Sequence, residues 1–393
     1  MPNPRIAIVA AKRTAIGKFL GAFKDTTAAD LGVGVVSEVL KQTGVAELAD
    51  ELIFGNARQA GSGPNIARQI SVRAGLPESV PAYTINKACG SGLKTIVLGF
   101  QAITLGDAEV VVCGGTENMT RMPFMLDRAR LGYRLGNDVL HDGMYKDGFQ
   151  CPLANMLMGA TAENLAEKYS IPREEQDKYA VMSQNRCEKA AKAGLWTQEI
   201  VPVGGTDEKG KPITLTVDEH PRAGATMEGM AKLPPVFKKT GTVHAGNSSG
   251  ITDGAAALVL MSEKAAAKAG LKPIAFVEAY SSVGVDPRFM GIGPVPAIAK
   301  LEKKTGRKLD AYDVVELNEA FAAQVLACDR ELHFNWDRTN VNGGSIALGH
   351  PIGCTGARFV VTLLHEMLRR DAKTGLVTLC MSGGLGMAVS FVR

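Results

Sequence analysis

Asp50-Glu51-Leu52-Ile53-Phe54-Gly55-Asn56 is a short apolar run ending on an amide, and it opens a series of elements that occurs twice in the chain. Next, Ala82-Tyr83-Thr84-Ile85-Asn86 runs into the turn Cys89-Gly90-Ser91-Gly92 and a helical pattern. Val110-Val111-Val112-Cys113-Gly114-Gly115 then reads as a buried strand closed by two glycines. The same order returns near the end of the chain. Asp313-Val314-Val315-Glu316-Leu317-Asn318-Glu319 again ends a strand on Asn. Thr339-Asn340-Val341-Asn342-Gly343-Gly344 leads through Gly349-His350-Pro351-Ile352-Gly353 into a helix, and Leu376-Val377-Thr378-Leu379-Cys380 precedes Ser382-Gly383-Gly384. The Asn56/Asn318 and Cys113/Cys380 pairs stand at nearly the same offset. Strand runs alternating with helical patterns mark an α/β protein. The shared order and spacing predict a duplicated unit.

Composition narrows the class. Of 393 residues 44 are glycine, well above the usual share of about 7%. No Gly-X-Y period runs through them, so glycine is expected at turns where backbone approaches backbone or a ligand. An apolar content of 46% with a net charge of only +4 excludes global disorder. The 44 basic residues are dispersed among 40 acids, with no basic run interleaved with aromatics, which argues against nucleic acid as a partner. No stretch of 18 apolar residues is free of charge, which argues against a membrane partner. The opening Met1-Pro2-Asn3-Pro4-Arg5-Ile6-Ala7-Ile8-Val9 reads as a first strand, too short in apolar length for a secretory signal. Seven cysteines without CxxC spacing suggest neither a disulfide framework nor a metal site, and fit a reducing cytoplasm.

Between the halves the texture changes. Residues from about Met119 to Thr242 are rich in Met, Arg, Lys and Asp. A capping-box-like Thr161/Asn164 pattern predicts a helix continuing to Tyr169, and a second helix is expected from Arg173 to about Ala193, stopping at Gly194. Gly254–Met261 reads as a strand returning to the first half. The expected division is 1–118 with 247–271 as an N-terminal half, 119–246 as an inserted loop domain, and 272–393 as a C-terminal half.

Four residues stand where chemistry could occur. Cys89 precedes a helix whose apolar face is Leu93, Ile96, Val97, Phe100 and Ile103. A cysteine at a helix N-terminus is favoured as thiolate, and no Asp or Glu lies between Glu78 and Asp107 to oppose it. Position alone equally allows a core cysteine beside a tight turn. His350 occupies the matching turn of the second half, where Pro351 and the glycines suit a positioned imidazole. Near Cys89 it could take the thiol proton; alone it also reads as a polar surface residue. Cys380 ends a strand as Cys113 does, and Cys113 reads as core. Asn318 could hold a water, bond to His350, or simply form a strand-end turn.

Together these stretches resemble a known family. Asn86-Lys87-Ala88-Cys89-Gly90-Ser91-Gly92, Asn318-Glu319-Ala320-Phe321-Ala322-Ala323-Gln324, Gly349-His350-Pro351-Ile352-Gly353 and Cys380 with its glycines look like the four active-site motifs of thiolases. Arg13-Thr14-Ala15-Ile16-Gly17 and Ala245-Gly246-Asn247-Ser248-Ser249-Gly250 extend the resemblance over essentially the whole chain. It implies a duplicated αβαβα layered fold with the inserted loop domain over a coenzyme A site. It also implies acyl transfer through acyl-Cys89, with Cys380 as base on a bound acetyl-CoA. His350 and a water on Asn318 would form one oxyanion hole, and backbone N–H groups at Cys89 and near Ser382 the other. Arg222 resembles the cation near the nucleotide phosphate and Ser249 the residue facing the pantetheine, with Met158, Phe237, Met290 and Phe321 as apolar walls. Substrates would be acyl-CoA thioesters and CoA, with no permanently bound cofactor and no metal. A homodimer or homotetramer is implied, with Met119–Tyr145 as a candidate tetramer contact.

Met290-Gly291-Ile292-Gly293-Pro294 and Phe321-Ala322, without the Phe-Pro of members taking branched chains, point to two acetyl-CoA forming acetoacetyl-CoA and the reverse thiolysis. A broader 3-ketoacyl-CoA thiolase and a silent acyl-CoA-binding protein are the alternatives. Two positions depart from the family. Ser382 replaces the first of three glycines, so a left-handed backbone there would cost about 1–3 kcal/mol. Leu157 stands where biosynthetic members often carry His.

Overall fold

Strand pairing makes the duplication visible in the computed structural model, which describes residues 4–393. The first half contains β1 (Ile6–Thr14), α1 (Ala28–Thr43), β2 (Glu51–Gly55), α2 (Ile66–Arg73), β3 (Ala82–Ile85), α3 (Ser91–Leu105) and β4 (Val110–Asn118). The middle segment carries α4 (Met158–Lys168) and α5 (Arg173–Lys192), after which β5 (Thr252–Ser262) returns to the first half. The second half contains β6 (Ala275–Gly284), α6 (Pro294–Thr305), β7 (Val314–Leu317), α7 (Ala322–Leu332), α8 (Ile352–Arg370), β8 (Thr374–Met381) and β9 (Leu385–Val392).

The order is β3-β2-β4-β5-β1 in one half and β7-β8-β9-β6 in the other. In each, the strand ending on Asn runs parallel to the strand bearing Cys113 or Cys380, and the next two pairings are antiparallel. The counterpart of β3 has shrunk to a single bridge, Val315 with Thr339. The halves join where Ile6, Ala7 and Ile8 pair with Val277, Phe276 and Ala275.

Both faces of β1 are covered, and its side chains divide accordingly. Ile6 and Ile8 enter the apolar cluster that holds α3 and α8, while Ala7 and Val9 face the cluster of α1 and α2. A bulge between Ile8 and Ala10 shifts the alternation, so Ala11 rejoins Ile6 and Ile8. The central layer is α3 against α8, with Leu93, Ile96 and Val97 sharing a core with Phe359, Val360 and Leu363. The window Ala88–Leu105 has a mean hydropathy of 1.3, enough by length and composition to cross a membrane. Its apolar face instead packs on α8 and the sheet.

Glycine permits that crossing and the close seat of α8 on the ends of β2 and β4. A Cβ on Gly92 would fall 2.8 Å from the Ala357 nitrogen, and one on Gly353 would fall 2.7 Å from the Thr116 carbonyl oxygen. Both contacts are with backbone, which cannot give way.

The middle segment differs from the sequence expectation at one helix start, and the structure names its packing partners. Helix α4 begins at Met158, a turn before Thr161, and the Thr161 hydroxyl donates to the Met158 carbonyl instead of capping. The buried apolar residues of α4 and α5 share clusters with the C-terminal half: Leu165, Tyr179 and Ala180 pack with Leu317, Ala322 and Val325. The segment also adds Ile200–Val201 to the main sheet, beside Arg13 and Thr14. There the buried Arg13 guanidinium donates to Glu199 at 2.8 Å and Asp218 at 2.7 Å. Leu131 and Leu135 stand exposed in the stretch before α4.

Candidate active site

The turn that presents Cys89 is fixed by its own short side chains. Ser91 Oγ accepts from the Lys87 N–H and donates to the Ala88 carbonyl, while Asn86 Oδ1 accepts from the Ala88 N–H. Ala88 adopts φ +47°, an uncommon angle for a residue with a side chain. Gly90 lets the Met381 side chain of the other half pack directly against this turn. The half-buried Cys89 thereby ends up just before the N-terminus of α3.

Cys89, His350, Cys380 and Ser382 line one cavity of about 530 Å³, within the usual range for a small-molecule site. The six positions predicted for coenzyme A, namely Arg222, Ser249, Phe237, Met158, Met290 and Phe321, line the same cavity. Phe237 and Phe321 meet edge to face at 6.2 Å, and both pack in one apolar cluster with Met158, Met290 and Cys380. The Ser249 N–H donates to the Ala320 carbonyl, which ties the Ala245–Gly250 loop to the turn after Asn318. Cys113 lies in the core, its thiol donating to the Thr95 carbonyl at 3.2 Å.

Three expectations change. Asn318 is fully buried and does not join the cavity lining; its Oδ1 accepts from Ser345 at 2.8 Å, and its Nδ2 has no protein partner. It makes no hydrogen bond to His350. The Cys89 thiol is pushed up by burial, which outweighs the Arg58 charge and the N–H groups of Ser382 and Cys89 that lower it. The helix terminus therefore does not by itself produce a thiolate. Ser382 carries no strain either, because the left-handed angles fall on Gly383 (+83°) and Gly384 (+81°). Its N–H remains directed at Cys89 Sγ.

His350 Nδ1 lies 2.6 Å from Thr355 Oγ1. That hydroxyl donates its proton to the Pro351 carbonyl, so it accepts from Nδ1–H. This assigns the tautomer that leaves Nε2 as proton acceptor, and Nε2 has no protein partner. Burial, then the charges of Arg358 and Arg58, push the His350 pKa down to about 3. The imidazole is thus neutral across the physiological range. Between the unfolded value near 6.5 and about 3, the unfolded chain binds a proton at His350 that the folded chain does not, so stability falls as pH falls. His350→Gln is expected to lessen the stability lost between pH 7 and pH 5 by about 1–2 kcal/mol, read from urea unfolding at both pH values. An equal loss in both proteins would contradict this.

Sequence reasoning missed the acid at the centre. Glu117, at the end of β4, accepts from Asn56 Nδ2 and from the N–H groups of Ala57, Arg58 and Gly353. It thereby ties the His350 turn to the Cys89 half, and burial raises its pKa. Glu319 has a comparable role for α5, accepting from Tyr179, Ser183, Asn340 and the Ile346 N–H. Thr355 and Arg58 were missed as well. The signal available for Glu117 was its place three residues beyond Gly114 in Gly114-Gly115-Thr116-Glu117-Asn118.

Comparison with known proteins gives the family. Residues 6–264 match the thiolase N-terminal domain and residues 271–393 the thiolase C-terminal domain. An acetyl-CoA acetyltransferase of Pseudomonas aeruginosa is 52% identical over 389 residues, covering 99% of each chain. The acetyl-CoA acetyltransferase structure of Bacillus anthracis superposes with a TM-score of 0.97 at 44% identity, covering 99% of each chain. Human mitochondrial 3-ketoacyl-CoA thiolase in complex with CoA gives 0.95 at 44% identity, covering 99% of this chain and 98% of that one. Matched in both halves by that family's two domains, the chain belongs to the thiolase family and is an acyltransferase.

Proposed function

We propose that the protein is an acetyl-CoA C-acetyltransferase, joining two acetyl-CoA into acetoacetyl-CoA and running the reverse thiolysis through acyl-Cys89. The observation carrying this reading is that two cysteines from different halves, Cys89 and Cys380, line one cavity beside the partnerless Nε2 of His350.

In the first half-reaction His350 Nε2 takes the Cys89 proton, and the thiolate attacks the thioester carbonyl carbon. CoA leaves as a thiolate and receives from His350 the proton taken from Cys89. The Cys89 and Ser382 N–H groups, aimed at the sulfur, are placed for the thioester oxygen of acyl-Cys89. In the second half-reaction Cys380 passes its own proton to His350 Nε2, its thiolate removes a methyl proton from bound acetyl-CoA, and the proton on His350 returns to the Cys89 sulfur when that sulfur leaves. The enolate carbon attacks the acyl carbon, and Cys89 leaves as thiolate. Burial holds the Cys380 thiol well above its ordinary range, which makes its thiolate a strong base for a weakly acidic carbon. Negative charge on Cys89 raises Cys380 further. Acylation removes that charge, so it lowers the barrier to ionising Cys380 at the step where the base is needed.

Arg222, exposed at the mouth, is assigned to the nucleotide phosphates, and Ser249 to the pantetheine. Asn318 Nδ2 is the donor that would act on the enolate oxygen through a water. Relatives named acetyl-CoA acetyltransferase support the short-chain assignment, while the 3-ketoacyl-CoA thiolase neighbours keep chain length the deciding variable. Thiolysis across a series of 3-ketoacyl-CoA lengths tests it: kcat/KM should peak at acetoacetyl-CoA. A peak at long chains would reject the short-chain reading.

A further inference from the structure

Ser345 is a buried hydroxyl that the proposed reaction leaves without a task. It opens the short helical turn Ser345–Leu348, which leads into Gly349 and His350. Two side chains meet it there. Arg358, from α8, donates from Nη2 to Ser345 Oγ at 3.2 Å, and Ser345 Oγ lies 2.8 Å from Asn318 Oδ1. Arg358, Ser345 and Asn318 are all fully buried. The polarity of this chain follows from its far end. A guanidinium carries only donors, so Ser345 Oγ accepts from Arg358. The hydroxyl has a single proton, and among the described residues its other hydrogen-bond partner is Asn318. The atom that receives this proton must be the amide oxygen. A reversed amide would set two donors, Nδ2 and Nη2, on Oγ and leave the hydroxyl proton without an acceptor. Arg358 and Ser345 thus fix which end of the Asn318 amide is which, an assignment that heavy-atom positions alone do not make.

That orientation decides what Asn318 offers. Its Oδ1 is taken by Ser345, so the remaining group is Nδ2, a buried donor with no protein partner. Backbone pairing holds the residue beside the strand of the second sulfur: the Asn318 N–H donates to the carbonyl of Thr378, two residues before Cys380 on β8. A buried donor of this kind is met by water. Through that water a donor stabilises the negative charge that develops on an enolate oxygen. A reversed amide would present its oxygen instead and withdraw that support.

We infer that Ser345 is a positioning residue: with Arg358 behind it, its hydroxyl orients the Asn318 amide so that a donor, not an acceptor, serves the enolate oxygen. Its effect on turnover rests on the role proposed above for Asn318.

The test is a double-mutant cycle in the full chain, with Ser345→Ala, Asn318→Ala and both together, each checked for folding by thermal melting. Rapid quench reads the burst of CoA that marks Cys89 acetylation, and steady-state assays read condensation and thiolysis. Asn318→Ala should slow condensation about a hundredfold. Ser345→Ala removes a single oxygen and frees the amide to turn, so condensation should slow about tenfold while the burst keeps its wild-type rate. In the Asn318→Ala background the second substitution should cost nothing more. Wild-type condensation in Ser345→Ala with a fall in Asn318→Ala would overturn the inference alone. Wild-type condensation in both would reject the role of Asn318 and the inference with it. An equal fall in both half-reactions, or a tenfold loss that persists in the Asn318→Ala background, would also overturn the inference, because either assigns Ser345 to packing. Wild-type protein without a burst would reject the acyl-Cys89 reading, while the losses in thiolysis and their failure to add would still uphold the inference.

Discussion

Cys89→Ala is expected to lower turnover of acetoacetyl-CoA by about four orders of magnitude or more, with binding of CoA retained. The sulfur is the attacking atom in the proposed route and lies beside the N–H groups that would hold the oxyanion. Removing it leaves those N–H groups, His350 and the apolar walls in place, so the loss should fall on kcat. Cys89 is half-buried and its turn is held by Asn86, Lys87, Ala88 and Ser91, so the loop survives the substitution. Steady-state kinetics with a direct CoA-binding measurement separates the two effects. Near-normal kcat in the variant would move the nucleophile elsewhere.

Cys380→Ala should divide the reaction. Acylation of Cys89 by acetyl-CoA needs no carbon acid, so the first half-reaction and its burst of CoA should persist. Condensation should fall by about 10³-fold, because nothing else on the cavity wall carries a comparable base toward the methyl group. His350 Nε2 also lines the cavity, but it is a far weaker base than the Cys380 thiolate and serves the proposed route as a carrier of thiol protons, not as a base toward carbon. Rapid-quench measurement of CoA release against steady-state acetoacetyl-CoA formation reads both steps. If both half-reactions fall equally, the division of labour between the two sulfurs is wrong.

The duplication was legible because strand, turn, helix and strand recur in the same order, and the pairing pattern reproduces them down to the shared Asn and Cys positions. Cys89, His350 and Cys380 could be singled out because each sits in or beside a glycine-rich turn, but position alone left the packing reading open, and only the resemblance to four family motifs separated them from a core residue such as Cys113. Part of the glycine excess serves the α3–α8 crossing, where Gly92 and Gly356 let backbone touch backbone. What stayed hidden depends on long-range contact. Glu117 reads as an ordinary strand end until Asn56 and Gly353 are brought to it from both halves. Arg58 likewise reads as a surface residue until Gly148 closes over it. The Cys89 thiol illustrates the same limit in energetic terms. Its helix-terminal position was readable, but the burial that outweighs it was not. Ser382 was misjudged for a local reason: which residue of a Ser-Gly-Gly turn takes the left-handed angle is set by the strand pairing on either side.

The central claim is a covalent acyl group on Cys89, and intact-protein and peptide mass spectrometry after brief exposure to acetyl-CoA alone tests it most directly. One acetyl group per chain is predicted, carried by the peptide containing Cys89, accumulating in Cys380→Ala and absent in Cys89→Ala. No adduct on catalytically active protein, or an acetyl group on another residue that turns over at the rate of catalysis, would contradict it.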